Sequence, residues 1–420
     1  MIQKPIYQVK YLRKPKSVVI YKKIHYNDTK ITSGFYTKKQ TGGPMPPLNL
    51  LIKPVSGSCN MNCSNCFYTD EIQHREIACT GKMNDEIMHK LIDQAFEYAD
   101  SQCTFAFQGG EPSLAGLQFY EDFSNYVEKH SNPKNIAIHY AFQTNGLLID
   151  DAWASWFKKH QVLVGISLDG PKSIHDRYRK DHSCHGTFDR VMSTIQILNK
   201  HDVDYNILCV VHAASAYKAR RIYEFYRKNN MNYHQYIECL DPLDSERGIF
   251  KYSLKPSQYE IFLKDLFDVW YEDMTSGHYV YNRYFENLMM ILIGQGPESC
   301  NMRGFCGPQW VIEADGSAYP CDFYVLDEWK LGNILQDSFE TMEKNRKISG
   351  FIQKSYPIPD ECKQCKWLML CRNGCRRNRI IHDEETLGKN YFCTAYKNFL
   401  EYASPRFMVL YQMLKNKKTF

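Results

Sequence analysis

Between residues 49 and 240, short runs of apolar and β-branched residues alternate with longer segments whose apolar positions recur every three to four residues. The runs at 50–55, 104–107, 136–142, 163–168, 205–212 and 234–239 are near-continuously apolar, the pattern of strands buried on both faces. Each segment between them carries one apolar stripe. In 84–100, Met88, Leu91, Ile92, Ala95, Phe96 and Ala99 share a helical face, and Asn84 stands where an N-cap belongs. The segments 117–129, 151–160, 187–201 and 217–229 follow the same period. Such alternation predicts an α/β fold with a parallel sheet covered by helices. Six strands fall short of a closed eight-stranded barrel, so the expectation is a partial (β/α)6 TIM-like barrel. Chemistry is then expected at the C-terminal ends of the strands.

After residue 245 the pattern changes. Segments 256–276 and 281–293 read as helices, and Trp310 to Pro320 reads as a hairpin turning at Asp315-Gly316. The rest carries too few apolar residues to fold without help, and metal ligation would supply it. The shifts divide the chain into an N-terminal extension (1–44), a barrel (45–245), a helical connector (246–295) and a cysteine-rich region with a closing helix (296–420).

Of 420 residues, 44% are hydrophobic and 24% charged, ordinary proportions for a globular protein. No run of eighteen apolar residues predicts a membrane span, and the basic, polar N-terminus offers no secretory signal, so a cytoplasmic protein is expected. The net charge of +5 arises in the extension, where nine Lys and one Arg face one Asp. The remainder is net acidic. The extension reads as a solvated appendage, and neither a nucleic acid nor a membrane is an expected partner.

Sixteen cysteines in a chain of this kind read as metal ligands, not as disulfides. Cys59, Cys63 and Cys66 lie within eight residues; eight more fall between 300 and 393; Cys79, Cys103, Cys184, Cys209 and Cys239 are scattered and expected to be small buried hydrophobes. A run of three thiols leaves a fourth ligand missing. Either a four-iron, four-sulfur cluster keeps one iron open to a small molecule, or a distant residue completes a zinc site. Spacing leaves both open.

Cys-X3-Cys-X2-Cys resembles the signature of the radical S-adenosylmethionine (SAM) enzymes, and the partial barrel agrees with that family's fold. One departure stands out: Asn65 occupies the place of the aromatic residue that usually precedes the last cysteine. Gln108-Gly-Gly110-Glu-Pro112 looks like the family's Gly-Gly-Glu loop. The resemblance implies that SAM is held by Asn65, Gly110, Ser167, Arg179 and Leu240, with Arg179 on its carboxylate and Leu240 beside its adenine. Farther on, Cys300-X5-Cys306, Gly316-X4-Cys321, Cys362-X2-Cys365-X5-Cys371-X3-Cys375 and Cys393 resemble the SPASM domain of radical SAM peptide maturases. That likeness implies two auxiliary clusters, one on Cys300, Cys306, Cys321 and Cys375 and another on Cys362, Cys365, Cys371 and Cys393. With the cluster on Cys59, Cys63 and Cys66, the cofactors would be three 4Fe–4S clusters and SAM.

Met45-Pro-Pro-Leu48, Gln143-Thr-Asn-Gly146, Ser167-Leu-Asp-Gly170, 206–211 and 321–327 resemble the anaerobic sulfatase-maturating enzymes over 45–410. This implies oxidation of a Cys or Ser of a sulfatase to Cα-formylglycine, begun by a 5′-deoxyadenosyl radical. Asp322 would be the general base, with Gln108 and Tyr68 near the reacting centre and Tyr324 the next candidate base. Implied partners are an unfolded or nascent sulfatase segment of the form Cys/Ser-X-Pro-X-Arg and an electron donor such as flavodoxin or ferredoxin, acting on a monomer. A maturase that forges a thioether or carbon–carbon crosslink shares every cluster motif and stands as the alternative. A non-enzymatic iron–sulfur electron carrier or zinc scaffold stands behind it.

Overall fold

The computed structural model describes residues 47–381 and 387–417; the expectation of a solvated 1–44 extension lies outside them. All six expected strands form, with ends moved by a few residues: β1 (Leu48–Ile52), β2 (Gln102–Phe107), β3 (Ala137–Thr144), β4 (Leu163–Ser167), β5 (Tyr205–Val211) and β6 (Tyr233–Glu238). Each pairs in parallel with the next. The covering helices are α1 (Phe67–Gln73), α2 (Asp85–Tyr98), α3 (Leu117–Lys129), α4 (Asp151–Lys159), α5 (Phe188–Lys200) and α6 (Ala219–Lys228). At the start of α2 the Asn84 side chain accepts the Ile87 N–H at 2.9 Å, satisfying one of the helix's open donors. Its stripe of Met88, Leu91, Ile92 and Ala95 is fully buried. Between sheet and helices, Phe105, Phe107, Phe123, Phe142 and Phe157 interlock edge to face or tilted. Each such side chain removed from water contributes about 1.5–3 kcal/mol.

The sheet does not stop at six strands. After α7 (Pro256–Ser276), β7 (Tyr281–Asn282) adds to the β6 edge and leads into α8 (Arg283–Leu292). At the opposite edge, β8 (Trp310–Ile312) pairs in parallel with β1, and β9 (Ser317–Tyr319) and β10 (Gly332–Asn333) extend the sheet to ten strands. The expected hairpin is thus welded to the barrel. Gly316 turns it at φ 82°, a conformation that favours glycine. Farther along lie α9 (Phe339–Ser349), the two-stranded β11 (Arg379–Ile381) and β12 (Leu387–Asn390), and α10 (Cys393–Lys417). An aromatic seam of Phe267, Trp270, Phe285, Phe399 and Phe407 packs α10 against α7 and α8. Periodicity does not foretell α1 or α9: α1 buries only Tyr68 and Glu71, and α9 only Phe339, Met342 and Arg346.

The expectation for the scattered cysteines is corrected in two places. Cys103, Cys209 and Cys239 are buried, but Cys79 and Cys184 are exposed. Both sit in loops; Cys184 adopts φ 62° in a tight turn closed by the Asp181 and His185 backbones.

Candidate active site

The Cys59–Cys66 loop leaves the C-terminal end of β1 and packs on the loop after β2. The N–H of Gly110 donates to Ser56 O at 3.0 Å, and that of Glu111 to Ser58 O at 2.7 Å. A Cβ on Gly110 would stand 2.1 Å from Ser58 O, so only glycine lets the two loops meet. Glu111, 1% exposed, accepts from Ser113, Thr144 Oγ1 and the Asn145 N–H, tying β2 to the end of β3. From there the Asn145 amide reaches to 3.8 Å from Cys59 Sγ.

Arg179 is paired within the chain. Its Nε and Nη2 donate to Asp169 Oδ2 and Oδ1 at 2.6 and 3.0 Å, a bidentate pair that uses one edge of the guanidinium and leaves Nη1 for any further anion. Burial alone would raise Asp169; the Arg179 charge overcomes it and holds the carboxyl below its ordinary value. The same charge reaches Cys63, whose thiol burial pushes up to about 12. Burial likewise lifts Cys59 to about 11. Asn65, Leu240, Cys63 and Cys66 line one cavity of about 460 Å³, with Phe250 and Tyr252 on its wall. The Asn65 amide lies 3.8 Å from Cys239 Sγ. Ser167 ends β4, half-buried.

The eight later cysteines separate in space into two sets that cross in sequence. Cys321 is raised by burial and further by Cys375, Cys300 and Cys306. Cys371, lifted to about 12 by burial, also feels Cys393, Cys362 and Cys365; Cys362 and Cys393 belong to that same set. Among the described residues no three His, Cys, Asp or Glu side chains converge as ligands of one metal ion must. Two groups of four thiols match the ligand count of two iron–sulfur clusters, whose irons each take one.

Asp322, 8% exposed, follows Cys321 and reaches the ends of β1 and β2. Its Oδ2 accepts from Tyr68 Oη at 2.7 Å and from Gln108 Nε2 at 2.8 Å, while its buried Oδ1 makes no hydrogen bond. Lys53 Nζ stands 3.6 Å from that Oδ1, 2.8 Å from Glu71 and 3.6 Å from Glu313, and Arg75 pairs with Glu313 at 2.9 Å. Three carboxylates therefore face two cations in the buried interior. The surplus falls on Glu71, pushed up to about 8 mainly by burial. Burial also raises Asp322, with Lys53 pulling it back. Lys53 is driven up to about 12 because the surrounding carboxylates outweigh its burial. Tyr68, raised by burial and then by Asp322, stays a phenol and donates.

Sequence reasoning brings Asp322, Tyr68 and Gln108 together and misses Lys53, Glu71, Glu313 and Arg75. The one signal available was a lysine closing the otherwise apolar run of β1. Tyr324 is not placed as a second base: it packs with Trp329 and Phe351 around the Arg376 guanidinium.

A triple-cysteine loop at the strand ends of a partial barrel, followed by two interleaved sets of four thiols, defines a radical SAM enzyme with an auxiliary iron–sulfur region. Residues 54–214 match the Radical SAM superfamily, and 305–366 match an iron–sulfur cluster-binding domain of the SPASM type. A Cysteine-type anaerobic sulfatase-maturating enzyme of Clostridium perfringens is 46% identical over 363 residues, 86% of this chain and 98% of the relative. A Serine-type enzyme of Bacteroides thetaiotaomicron is 30% identical over 392 residues, 89% of this chain and 93% of the relative. The structure of native anSMEcpe with bound AdoMet and Cp18Cys peptide superposes with TM-score 0.83 at 44% identity, over 88% of this chain and 100% of that one. The chain belongs to the anaerobic sulfatase-maturating enzymes, and its cofactors are iron–sulfur clusters and SAM.

Proposed function

We propose that this chain oxidises an active-site Cys, and secondarily a Ser, of a sulfatase polypeptide to Cα-formylglycine without oxygen. The observation that carries the chemistry is Asp322: Tyr68 and Gln108 hold one carboxylate oxygen, and the other is buried with no hydrogen-bond partner. Cys59, Cys63 and Cys66 would hold the first cluster; Cys300, Cys306, Cys321 and Cys375 the second; Cys362, Cys365, Cys371 and Cys393 the third. When bound, these clusters and SAM supply the hydrogen-atom abstractor and the one-electron carriers that a two-electron oxidation of Cβ needs. The protein's own part is to place the target side chain against Asp322, whose Oδ1, near Lys53 but without a hydrogen bond, takes the thiol or hydroxyl proton. Tyr68 and Gln108 fix the carboxylate, and Lys53 balances its charge. Gly110 seats the β2 loop, with Ser167, Arg179, Leu240 and Asn65 around SAM.

Higher identity to the Cysteine-type than to the Serine-type relatives supports Cys as the first substrate. The partner is an extended, unfolded or nascent sulfatase segment. The reading extends to a cytoplasmic monomer served by flavodoxin or ferredoxin. No described helix is long and apolar enough to cross a membrane.

The test presents peptides containing Cys-X-Pro-X-Arg and Ser-X-Pro-X-Arg with SAM and reductant, anaerobically, and weighs the products. Formylglycine from the Cys peptide, with sulfide released, is expected. A product that keeps its sulfur in a thioether would assign the chain to the crosslinking maturases instead.

A further inference from the structure

Arg379 is a buried guanidinium whose surroundings contrast with those of Arg179. It is 2% exposed, at the start of β11. Its nitrogens donate to four backbone carbonyls: Nη1 to Ser355 O at 2.7 Å, Nη2 to Gly304 O and to Gly374 O at 3.1 Å, and Nε to Asn373 O at 3.3 Å. Those carbonyls belong to the loops that carry one set of thiols. Gly304 lies two residues before Cys306, Gly374 adjoins Cys375, and Ser355 Oγ accepts the Cys306 N–H at 2.8 Å. The strand itself points toward the other set, since Arg379 pairs with Asn390 on β12, three residues before Cys393. Carbonyl oxygens solvate a cation but do not neutralise it. The opposing charges nearest Arg379 are first Cys306 and Cys375 of one set and then Cys362 of the other, with Arg376 also acting on Cys306 and Lys389 on Cys362.

We propose that Arg379 is a shared counter-cation for the two auxiliary clusters, a fixed buried charge that holds both at a higher reduction potential than thiolate ligation alone would set. Cluster potentials follow net charge, hydrogen bonding and exposure, and each added electron makes a thiolate-ligated cluster more negative. A cation held rigidly beside both sets favours the reduced form of each. Both centres are thereby poised to receive an electron without any change in ligands. The inference rests on the ligand partition proposed above.

The experiment compares the full-length, cluster-loaded enzyme with Arg379→Gln and Arg379→Lys, reading iron content and the midpoint of each cluster in an EPR-monitored reductive titration. Added SAM perturbs the signal of the first cluster and so identifies it. Arg379→Gln is expected to lower both auxiliary midpoints by about tenfold in the reduction equilibrium, about 59 mV for one electron. The first cluster should not move, and Arg379→Lys should stay near the wild type. Unmoved auxiliary midpoints in a fully loaded Gln variant overturn the proposal. So does a shift confined to one auxiliary cluster, or an equal fall in Gln and Lys, which would assign the effect to lost hydrogen bonds. If Gln fails to load iron, loading of Lys with wild-type midpoints still supports the charge, whereas joint failure makes Arg379 scaffold only. Separately, Cys300→Ala and Cys362→Ala should each remove one auxiliary cluster. Loss of both, or of neither, would sink the partition and with it the sharing of one cation by two clusters.

Discussion

The barrel and the cysteine-rich region solve the same problem with different means. In the barrel, order comes from apolar area: the Phe105–Phe157 layer and the buried stripes of α2 to α6 suffice to fix strands and helices. Beyond residue 296, many ordering groups are polar and buried. Arg379 spans four carbonyls, Arg346 lies over the Trp310 ring at 3.8 Å, and eight thiols wait in two sets. Apolar patterning is a local property and survives in the sequence as a period. Thiol and guanidinium scaffolding is a property of the assembled chain. On this contrast the first region is expected to hold its fold without its cofactors and the second to depend on them.

The largest effect should come from replacing Cys59, Cys63 and Cys66 together by Ala. SAM cleavage should vanish while about eight irons remain per chain, four per auxiliary cluster. Near-zero iron in a folded protein would show that the sets are not independent. Next comes Asp322→Asn, which removes a proton acceptor but no ligand. Formylglycine should fall about 10²–10⁴-fold while 5′-deoxyadenosine is still produced; wild-type formylglycine yield would remove Asp322 from the base role.

Stripping the clusters with a chelator under reducing conditions tests the contrast in stability. Amide exchange at 362–381 should accelerate well before that of β3 to β5, because only the former loses part of its scaffold. Uniform acceleration along the chain would mean that the barrel also leans on metal. The smallest expected effect is local to the barrel. Asn84→Ala removes the cap of α2 and should cost about 1 kcal/mol in urea unfolding, with iron content unchanged.

How much was legible follows the same line. The six strands, Asn84 and the extents of α3 and α7 could be read because period and caps are written within a dozen residues. The Asp315-Gly316 turn could be read, but not the edge its hairpin would join, since pairing with β1 spans some 260 residues of chain. Asp322 was legible only through resemblance. Its partners Tyr68 and Gln108 lie 254 and 214 positions away. Glu71, Glu313 and Arg75 were not legible, and Lys53 only as a lysine at the end of an apolar run. Each alone is an ordinary charged residue at a strand end, in a short helix or in the bend after it, and only their convergence makes them unusual. The two thiol sets interleave along the chain, so spacing could count the ligands but not sort them.

The pairing of β8 with β1 sets a timetable for biosynthesis. β1 is among the first strands to leave the ribosome, and its outer edge finds its partner only when residues 310–312 emerge. Until then a flat apolar strand offers unpaired N–H and C=O groups to any neighbouring chain, a template for intermolecular association. A barrel fragment ending near residue 245 would keep that exposure permanently and should precipitate where the full chain does not. The unit that can be expressed, moved between hosts or fused to another protein therefore includes the hairpin at 310–319 as well as the barrel.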